Sequence, residues 1–424
     1  MTETRPGPAL PGAAKQLGAE LAHWRGAIAA LADLDTVASP EAWTRLEEYL
    51  RLRLRARLRG AVDVLAGAGA DLAARLDHAA EDDLRGGLLD LRRRYVELEA
   101  IVDFYGDAVN TRTTPRLGAV LGGLDTLAVD SMQPVLTPLG IEVPPALVWL
   151  DKGTGAAILR AGVPLAGGVV APVAAIKITR HNLGHPTALF HETGHHVAQA
   201  TGWIEQLAAA LRAVVAPYSA ELADLWAGWA GEIAADAHAF ALAGWAPLPA
   251  LANVVDGPSR AVHRVRPEDP HPPAWLRVQL NAALCRRWFG AGPWDAVADT
   301  WQARHDPEAV GTAGARVATA SRRLLPALAA ACTDTPYDAF GGRPLAALAD
   351  PRRVSPAALA DLARRAGPSL LSSAYLSRRE PIRILAWLTR EQPADPEAAA
   401  RAAARLQDWL ATLAPVPLPT PRAA

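Results

Sequence analysis

Apolar residues recur at steps of three and four along the first part of the chain, which is the spacing of one face of an α-helix. One run extends from Trp43 to Leu65, and a more regular run extends from Leu84 to Tyr105. The second run alternates steps of four and three. It therefore predicts a long helix that packs against a neighbouring helix through a continuous apolar seam.

Arginine occupies every second position between Arg51 and Arg59. Taken alone, this alternation is typical of a strand or of a basic patch. Here it lies inside a helical pattern, with Glu47 four residues before Arg51 and Asp63 four residues after Arg59. Residues at that spacing are neighbours on a helix surface, so we predict a solvated, ion-paired helix face.

Short apolar runs separated by turn residues begin near Gly140 and predict three strands. The strands cover Ala146–Asp151, residues 156–161 and Ala174–Thr179. The third leads into a helix between Pro186 and Gly202, because proline suits a first helical turn and glycine suits a helix end. Further helices are predicted over residues 205–216, 219–243 and 274–289, and the chain from Trp294 onward is also helical in pattern.

These patterns predict a mainly α-helical protein of the α+β class, in five parts. The parts are a Pro/Gly-rich tail (1–14), an N-terminal helical region (15–139), a mixed core (140–292), a C-terminal helical region (293–414) and a Pro-rich tail (415–424).

Composition excludes several classes of protein. Half of the 424 residues are apolar and the net charge is −1, so a large core is possible, and neither a disordered chain nor a nucleic-acid-coating protein is expected. Two cysteines, Cys285 and Cys332, do not form a disulfide framework, and we expect both to be core thiols. The N-terminal residues lack a basic start followed by an apolar core, so no signal peptide is expected. The longest weakly charged stretch, residues 161–176, is too short and too broken to span a membrane. A cytoplasmic location is the simplest expectation.

The segment His191-Glu192-Thr193-Gly194-His195 carries the clearest chemistry. His191 and His195 are four residues apart, so on a helix both imidazoles project from one face and can hold one metal ion, with zinc expected. Glu192 lies beside that face without being a ligand, where it can act as general base on a metal-activated water. Gly194 costs ~1 kcal/mol inside a helix relative to alanine, which indicates close approach by a crossing element.

A catalytic zinc needs a third protein ligand and one open position. Glu232 and Asp236 lie four residues apart on the predicted 219–243 helix and would face the same way. Glu232 fits the role of ligand. Asp236 fits an acceptor for the outer N–H of a ligand histidine, which fixes the tautomer of that histidine.

In this order of motifs the sequence resembles the gluzincin zinc metallopeptidases. The pattern His271-Pro272-Pro273 followed by Arg277 narrows the resemblance to the CAAX prenyl endopeptidase family and its soluble relatives. The resemblance implies zinc-dependent hydrolysis of peptide or protein substrates. It also implies a small antiparallel sheet beside the helix with the two histidines, with Ala174–Thr179 as the edge strand that aligns the substrate.

His271 and Arg277 are predicted to support catalysis, with alternatives left open. His271 could stabilise the oxyanion or merely begin a helix, and Arg277 could pair with an acidic residue that orients that helix. His196 points about 100° away from His195 and is expected to pack or to be exposed. His181, His185 and His238 are expected at surface or capping positions. Tyr218 is a weaker oxyanion candidate.

The sequence therefore favours a zinc peptidase that needs neither nucleic acid nor a membrane. One alternative is a helical interaction protein with a structural or vestigial zinc site, closed by a fourth ligand such as His196 or Asp236. Another is a zinc hydrolase that acts on a non-peptide amide. The sequence fixes neither the oligomeric state nor the cleavage preference.

Overall fold

The computed structural model describes residues 13–153, 155–159, 173–266, 268–390 and 393–414. The predicted tail 415–424 and most of the predicted tail 1–14 lie outside these residues, and so does most of the stretch 161–176. The described residues form two compact units, one within Met1–Thr113 and Ala161–Val173 and the other within Thr114–Arg160 and Ala174–Ala424.

The described part of the first unit is helical. Its α-helices are α1 Ala13–Leu31, α2 Pro40–Leu50, α3 Leu54–Ala74 and α4 Glu81–Asn110. The predicted seam is confirmed in α4, because Leu84, Leu88, Leu91 and Leu98 are buried together with Val102 and Tyr105. This face packs on α1 and α3.

The arginine-rich segment contains a helix break that the periodicity did not predict. Arg51 ends α2 in the left-handed conformation, with φ of 53°, and α3 begins at Leu54. Because of this break, Glu47 pairs with Arg55 across the turn, with 2.7 Å between the two side chains. The predicted pairing of Glu47 with Arg51 is therefore replaced by a pairing that needs the bent chain.

The described part of the second unit contains three strands and the remaining helices. The strands are β1 Ala146–Asp151, β2 Ala157–Leu159 and β3 Ala174–Thr179. The helices are α5 Pro115–Leu136, α6 Ala188–Thr201, α7 Trp203–Val215, α8 Ala220–Gly228, α9 Ala230–Ala243, α10 Pro247–Val255, α11 Ser259–Val262, α12 Ala274–Phe289, α13 Pro293–Arg304, α14 Pro307–Val310, α15 Ala313–Arg322, α16 Leu325–Thr333, α17 Leu345–Leu348, α18 Pro356–Ala366, α19 Ala374–Arg379, α20 Pro381–Thr389 and α21 Pro396–Leu413. A mainly helical fold with a small sheet is thus confirmed.

The prediction of an antiparallel sheet is wrong. The strand order is β1-β3-β2, and the longer pairing, Ala146 with Ala174 through Asp151 with Thr179, is parallel. Only the short β2 runs antiparallel to β3. Consequently β3 is the central strand of the described sheet, and the prediction that Ala174–Thr179 is an edge strand is also wrong. At the outer edge, Asp125 of α5 accepts a hydrogen bond of 2.6 Å from the Val148 N–H of β1.

The apolar core of this unit surrounds α9, which is buried along almost its whole length. The helices α6, α7 and α12 pack against it, and α6 also lies on β2 and β3. Cys285 and Cys332 are buried free thiols in this core, as predicted. None of the described helices is both long and apolar enough to cross a membrane.

Candidate metal centre

Helix α6 presents two imidazoles on one face. His191 and His195 are one turn apart, their rings meet at 83°, and their Nε2 atoms are 3.2 Å apart. The helix ends as predicted at Gly202, which adopts φ of 70°. Both imidazole rings therefore present Nε2 to the same point beside the helix.

Glu232 of α9 completes a compact group of three. Its Oε1 lies 3.2 Å from His195 Nε2 and its Oε2 lies 3.4 Å from His191 Nε2. Ligand atoms ~2.0–2.1 Å from a tetrahedral zinc ion are ~3.3–3.4 Å apart, so these spacings match the edges of a zinc coordination sphere. Of the described residues, these three form the group of side chains able to hold one metal ion.

Gly194 permits the approach of α9 to α6. A Cβ added to Gly194 would lie 2.8 Å from the Cα of Ala235 and 3.1 Å from the Cβ of His238. Any larger residue would push α9 away and carry Glu232 with it. The prediction that a crossing element explains this glycine is confirmed.

Asp236 lies one turn beyond Glu232 and orients the first histidine. Its Oδ1 is 2.8 Å from His191 Nδ1. A proton on Nδ1 directed at this carboxylate leaves Nε2 as the lone-pair donor toward the metal position. The position of Asp236 is thus the one predicted for an acceptor behind a ligand histidine.

Arg277 of α12 holds Asp236 in turn. Its Nε and Nη2 donate to the two carboxylate oxygens of Asp236 at 3.0 and 2.7 Å, and its Nη1 lies 3.4 Å from Glu232 Oε2. The guanidinium is buried, with its side chain 10% exposed. Of the two roles left open for Arg277, the pairing with an acidic residue is the one seen in this geometry.

The buried charges of the site do not balance without a cation. When both imidazoles are neutral, as metal ligation requires, the carboxylates of Glu192, Glu232 and Asp236 share one buried guanidinium among the described residues, that of Arg277. Two negative charges are left over, which is the charge of one divalent ion. In addition, Glu232 Oε2 is buried, and its contacts of 3.4 Å with His191 Nε2 and Arg277 Nη1 do not have the geometry of hydrogen bonds. An uncompensated buried carboxylate is costly, so both observations fit a bound metal cation.

The pKa shifts of the site residues follow from their burial and from the charges that lie close to one another there. Burial opposes charge on Asp236, yet Arg277 and His191 hold its pKa down at about 2. Burial also disfavours a charged His191, but Asp236 and Glu232 outweigh it and raise the pKa of His191 to about 10. Burial raises the pKa of Glu192 against the opposite pull of both imidazoles. The site thus attracts positive charge, whether protons or a metal ion.

Glu192 and the three candidate ligands line a cavity of about 590 Å³. His271 lies on its rim, with 58% of the side chain exposed and Nε2 3.4 Å from Glu232 Oε1. Asp269 Oδ1 accepts a hydrogen bond from the His271 backbone N–H, and the same oxygen lies 2.7 Å from His271 Nδ1. Because α12 is preceded directly by Pro273, His271 does not cap that helix.

Two other histidines near the motif are buried. His238 is buried and its Nδ1 contacts the Phe190 carbonyl at 3.0 Å, so the expectation of a surface or capping position is wrong. His196 is also buried and does not belong to the ligand group. Ser131 of α5 donates to Thr193 within the motif at 2.7 Å. No sequence pattern indicated either Ser131 or His238 as a support for α6.

Three remaining candidates lie elsewhere. His185 contacts the Thr389 carbonyl at 2.6 Å and bridges two segments. Tyr218 is exposed, and the Arg323 guanidinium lies over its ring. His181 is an exposed residue of the turn after β3.

Comparison of the chain with protein-family models, curated proteins and solved structures finds no match.

Proposed function

We propose that this chain is a zinc-dependent peptidase in which His191, His195 and Glu232 hold the metal and Glu192 is the general base. The observation that carries the proposal is the set of three ligand atoms spaced 3.2–3.4 Å apart beside an unbalanced buried charge. The choice of the peptide bond as substrate comes from the resemblance in motif order.

Each residue around the metal position has a separate role in the proposed reaction. A zinc ion supplies Lewis-acid polarisation of a carbonyl and lowers the pKa of a water molecule to ~7. Glu192 accepts the proton of the attacking water and passes it to the leaving amine. Asp236 keeps the His191 tautomer fixed, and Arg277 keeps Asp236 in place. His271 donates to the carbonyl oxygen as negative charge develops on it.

The ligand count supports catalysis over a structural role. A structural zinc site is closed by four protein ligands, whereas a catalytic site keeps one position open. Of the two candidates for closing the site, His196 lies outside the ligand group and Asp236 is occupied by His191 and Arg277. The group among the described residues therefore has three members, which favours an enzyme over an interaction protein.

The first test is metal content. Purified protein should bind about one zinc ion per chain, and Glu232→Ala should lose most of it, because one of three ligands is removed. Glu205→Ala, at an exposed position of α7, is the matched control and should retain zinc. Elemental analysis after dialysis against zinc measures all three proteins. A Glu232→Ala protein with a full complement of zinc would contradict the assignment of Glu232 as ligand.

The second test concerns His271. If its side chain donates to the oxyanion, His271→Ala should lower kcat by ~10²–10³-fold and leave zinc content and KM nearly unchanged. His271→Asn retains an N–H donor and should recover part of the loss. The comparison requires kcat, KM and melting temperature on the same preparations. An unchanged kcat in His271→Ala would remove this residue from the site.

A further inference from the structure

Helix α10 forms an apolar wall of the cavity that contains the metal centre. Five of its residues line that cavity: Pro247, Ala250, Leu251, Val254 and Val255. They recur at steps of three and four, which places them on one face of the helix. The wall is thus a continuous stripe along a helix and not a scatter of single contacts.

This stripe is less buried than the residue of α10 that lies in the core, although Leu251 and Val255 of the stripe also pack against that core. Leu248 is 1% exposed and belongs to the core cluster, whereas all five wall residues remain partly exposed. A helix with apolar residues on more than one side is normally covered on each of them. The wall of α10 faces the cavity instead, where an apolar ligand group could cover it.

Apolar residues from outside α10 also line the cavity. They include Ala156, Ala188 and Ile204. Every titratable side chain that lines the described cavity belongs to the metal centre, and the Arg277 guanidinium is already paired with Asp236. A charged substrate side chain would meet no free partner among these residues, whereas an apolar one would gain contact with the apolar lining.

The wall is held in place at both ends. Asp256, directly after α10, contacts Arg304 at 2.6 Å and the buried His305 at 2.9 Å. Before α10, the Trp245 ring packs against the ring of Trp294. Both anchors connect α10 to α13 and its end, so the wall is formed before any substrate arrives.

We propose that the α10 wall is a subsite that selects an apolar side chain beside the scissile bond of a peptide substrate. This inference rests on the proposed function, whose peptide-bond chemistry it narrows to a substrate class. The geometry assigns Leu251 and Ala250 as specificity-determining residues, since both are central in the wall and only partly exposed.

The test measures binding separately from cleavage. Probes are fluorescent peptides blocked at both termini, identical except for leucine, aspartate or lysine at the central position. Their affinities are measured by fluorescence anisotropy on zinc-loaded Glu192→Gln protein, which retains the cavity. The same peptides are then offered to the unmodified protein to measure hydrolysis. The leucine peptide should bind ~10–100-fold more tightly than the other two.

Two substitutions connect that preference to the wall. Leu251→Asp should abolish the preference for leucine, while Asn253→Asp, an equal charge change at an exposed position of the same helix, should leave it intact. Ala250→Phe keeps the wall apolar but fills space, so it should weaken binding of the leucine peptide and favour an additional peptide with alanine at the central position. Circular dichroism checks folding, and Ala250→Phe provides the answer if Leu251→Asp does not fold.

The outcomes separate this inference from the proposed function. If the protein prefers the leucine peptide and both substitutions change that preference, the result supports the subsite, with or without cleavage. Selective binding without any hydrolysis by the zinc-loaded, unmodified protein supports the subsite and contradicts the peptidase. Equal affinities for the three peptides, no binding at all, or a preference unchanged in both variants would overturn the subsite.

Discussion

Glu192→Gln should abolish peptide hydrolysis while the protein keeps its zinc and its fold. Glutamine has nearly the size and shape of glutamate but cannot accept a proton from water. General bases contribute ~10²–10⁴-fold to rate, so kcat should fall by at least that factor. Glu192 is 6% exposed, which makes a substitution of equal volume the right choice, because a smaller residue would leave a cavity.

The measurement combines kcat at saturating zinc with zinc content and a urea unfolding curve. Glu205→Gln, an exposed glutamate on the neighbouring helix α7, is the control and should resemble the unmodified protein in all three. Loss of zinc in Glu192→Gln would show that Glu192 is a ligand. Activity close to that of the unmodified protein would require another base and would remove the proposed mechanism.

The parts of the site that lie close together in sequence could be predicted from the sequence. The i,i+4 spacing of His191 and His195 fixes their common face once α6 forms, and Gly194 indicated a crossing element, which the structure identifies as α9. The same is true of Glu232 and Asp236 on α9. These relations depend on helical geometry alone, which is why they agree with the structure.

Relations between distant segments could not be predicted in the same way. The parallel pairing of β1 with β3 depends on the path of the chain between them, and periodicity within a strand contains no information about direction. The division of the predicted 219–243 helix at Trp229 is another such case, since Trp229 has an apolar side chain that suits the helical pattern.

The role of the α10 wall also could not be predicted from the sequence. Its residues fit a buried helix as well as a cavity wall, and only their partial exposure beside the metal centre distinguishes the two. Likewise, Arg277 lies far along the chain from Asp236. Only the folded structure shows which of the many carboxylates of this sequence is the partner of Arg277. Spacing could indicate an acidic partner for Arg277 but could not identify it.

Arg277→Leu should destabilise the second unit strongly, and more so without zinc than with it. The substitution removes the two hydrogen bonds of 3.0 and 2.7 Å to Asp236 and leaves that buried carboxylate with the His191 imidazole as its remaining partner. Removal of one partner from a buried pair costs ~3–5 kcal/mol. Without zinc, only a protonated imidazole such as that of His191 would then lie near the three buried carboxylates, whereas a bound divalent ion would still neutralise two of the charges.

The experiment compares the free energy of unfolding in urea for zinc-loaded and chelated protein. Arg287→Leu is the matched control on the same helix, because Arg287 pairs with Asp334 at an exposed position where such a pair contributes only ~0–1 kcal/mol. Adding Asp236→Asn to Arg277→Leu should restore part of the lost stability, since it removes the negative charge that has lost its guanidinium partner. Equal losses in Arg277→Leu and Arg287→Leu, or a loss that does not depend on zinc, would mean that the charges of this site are not coupled as the contacts indicate.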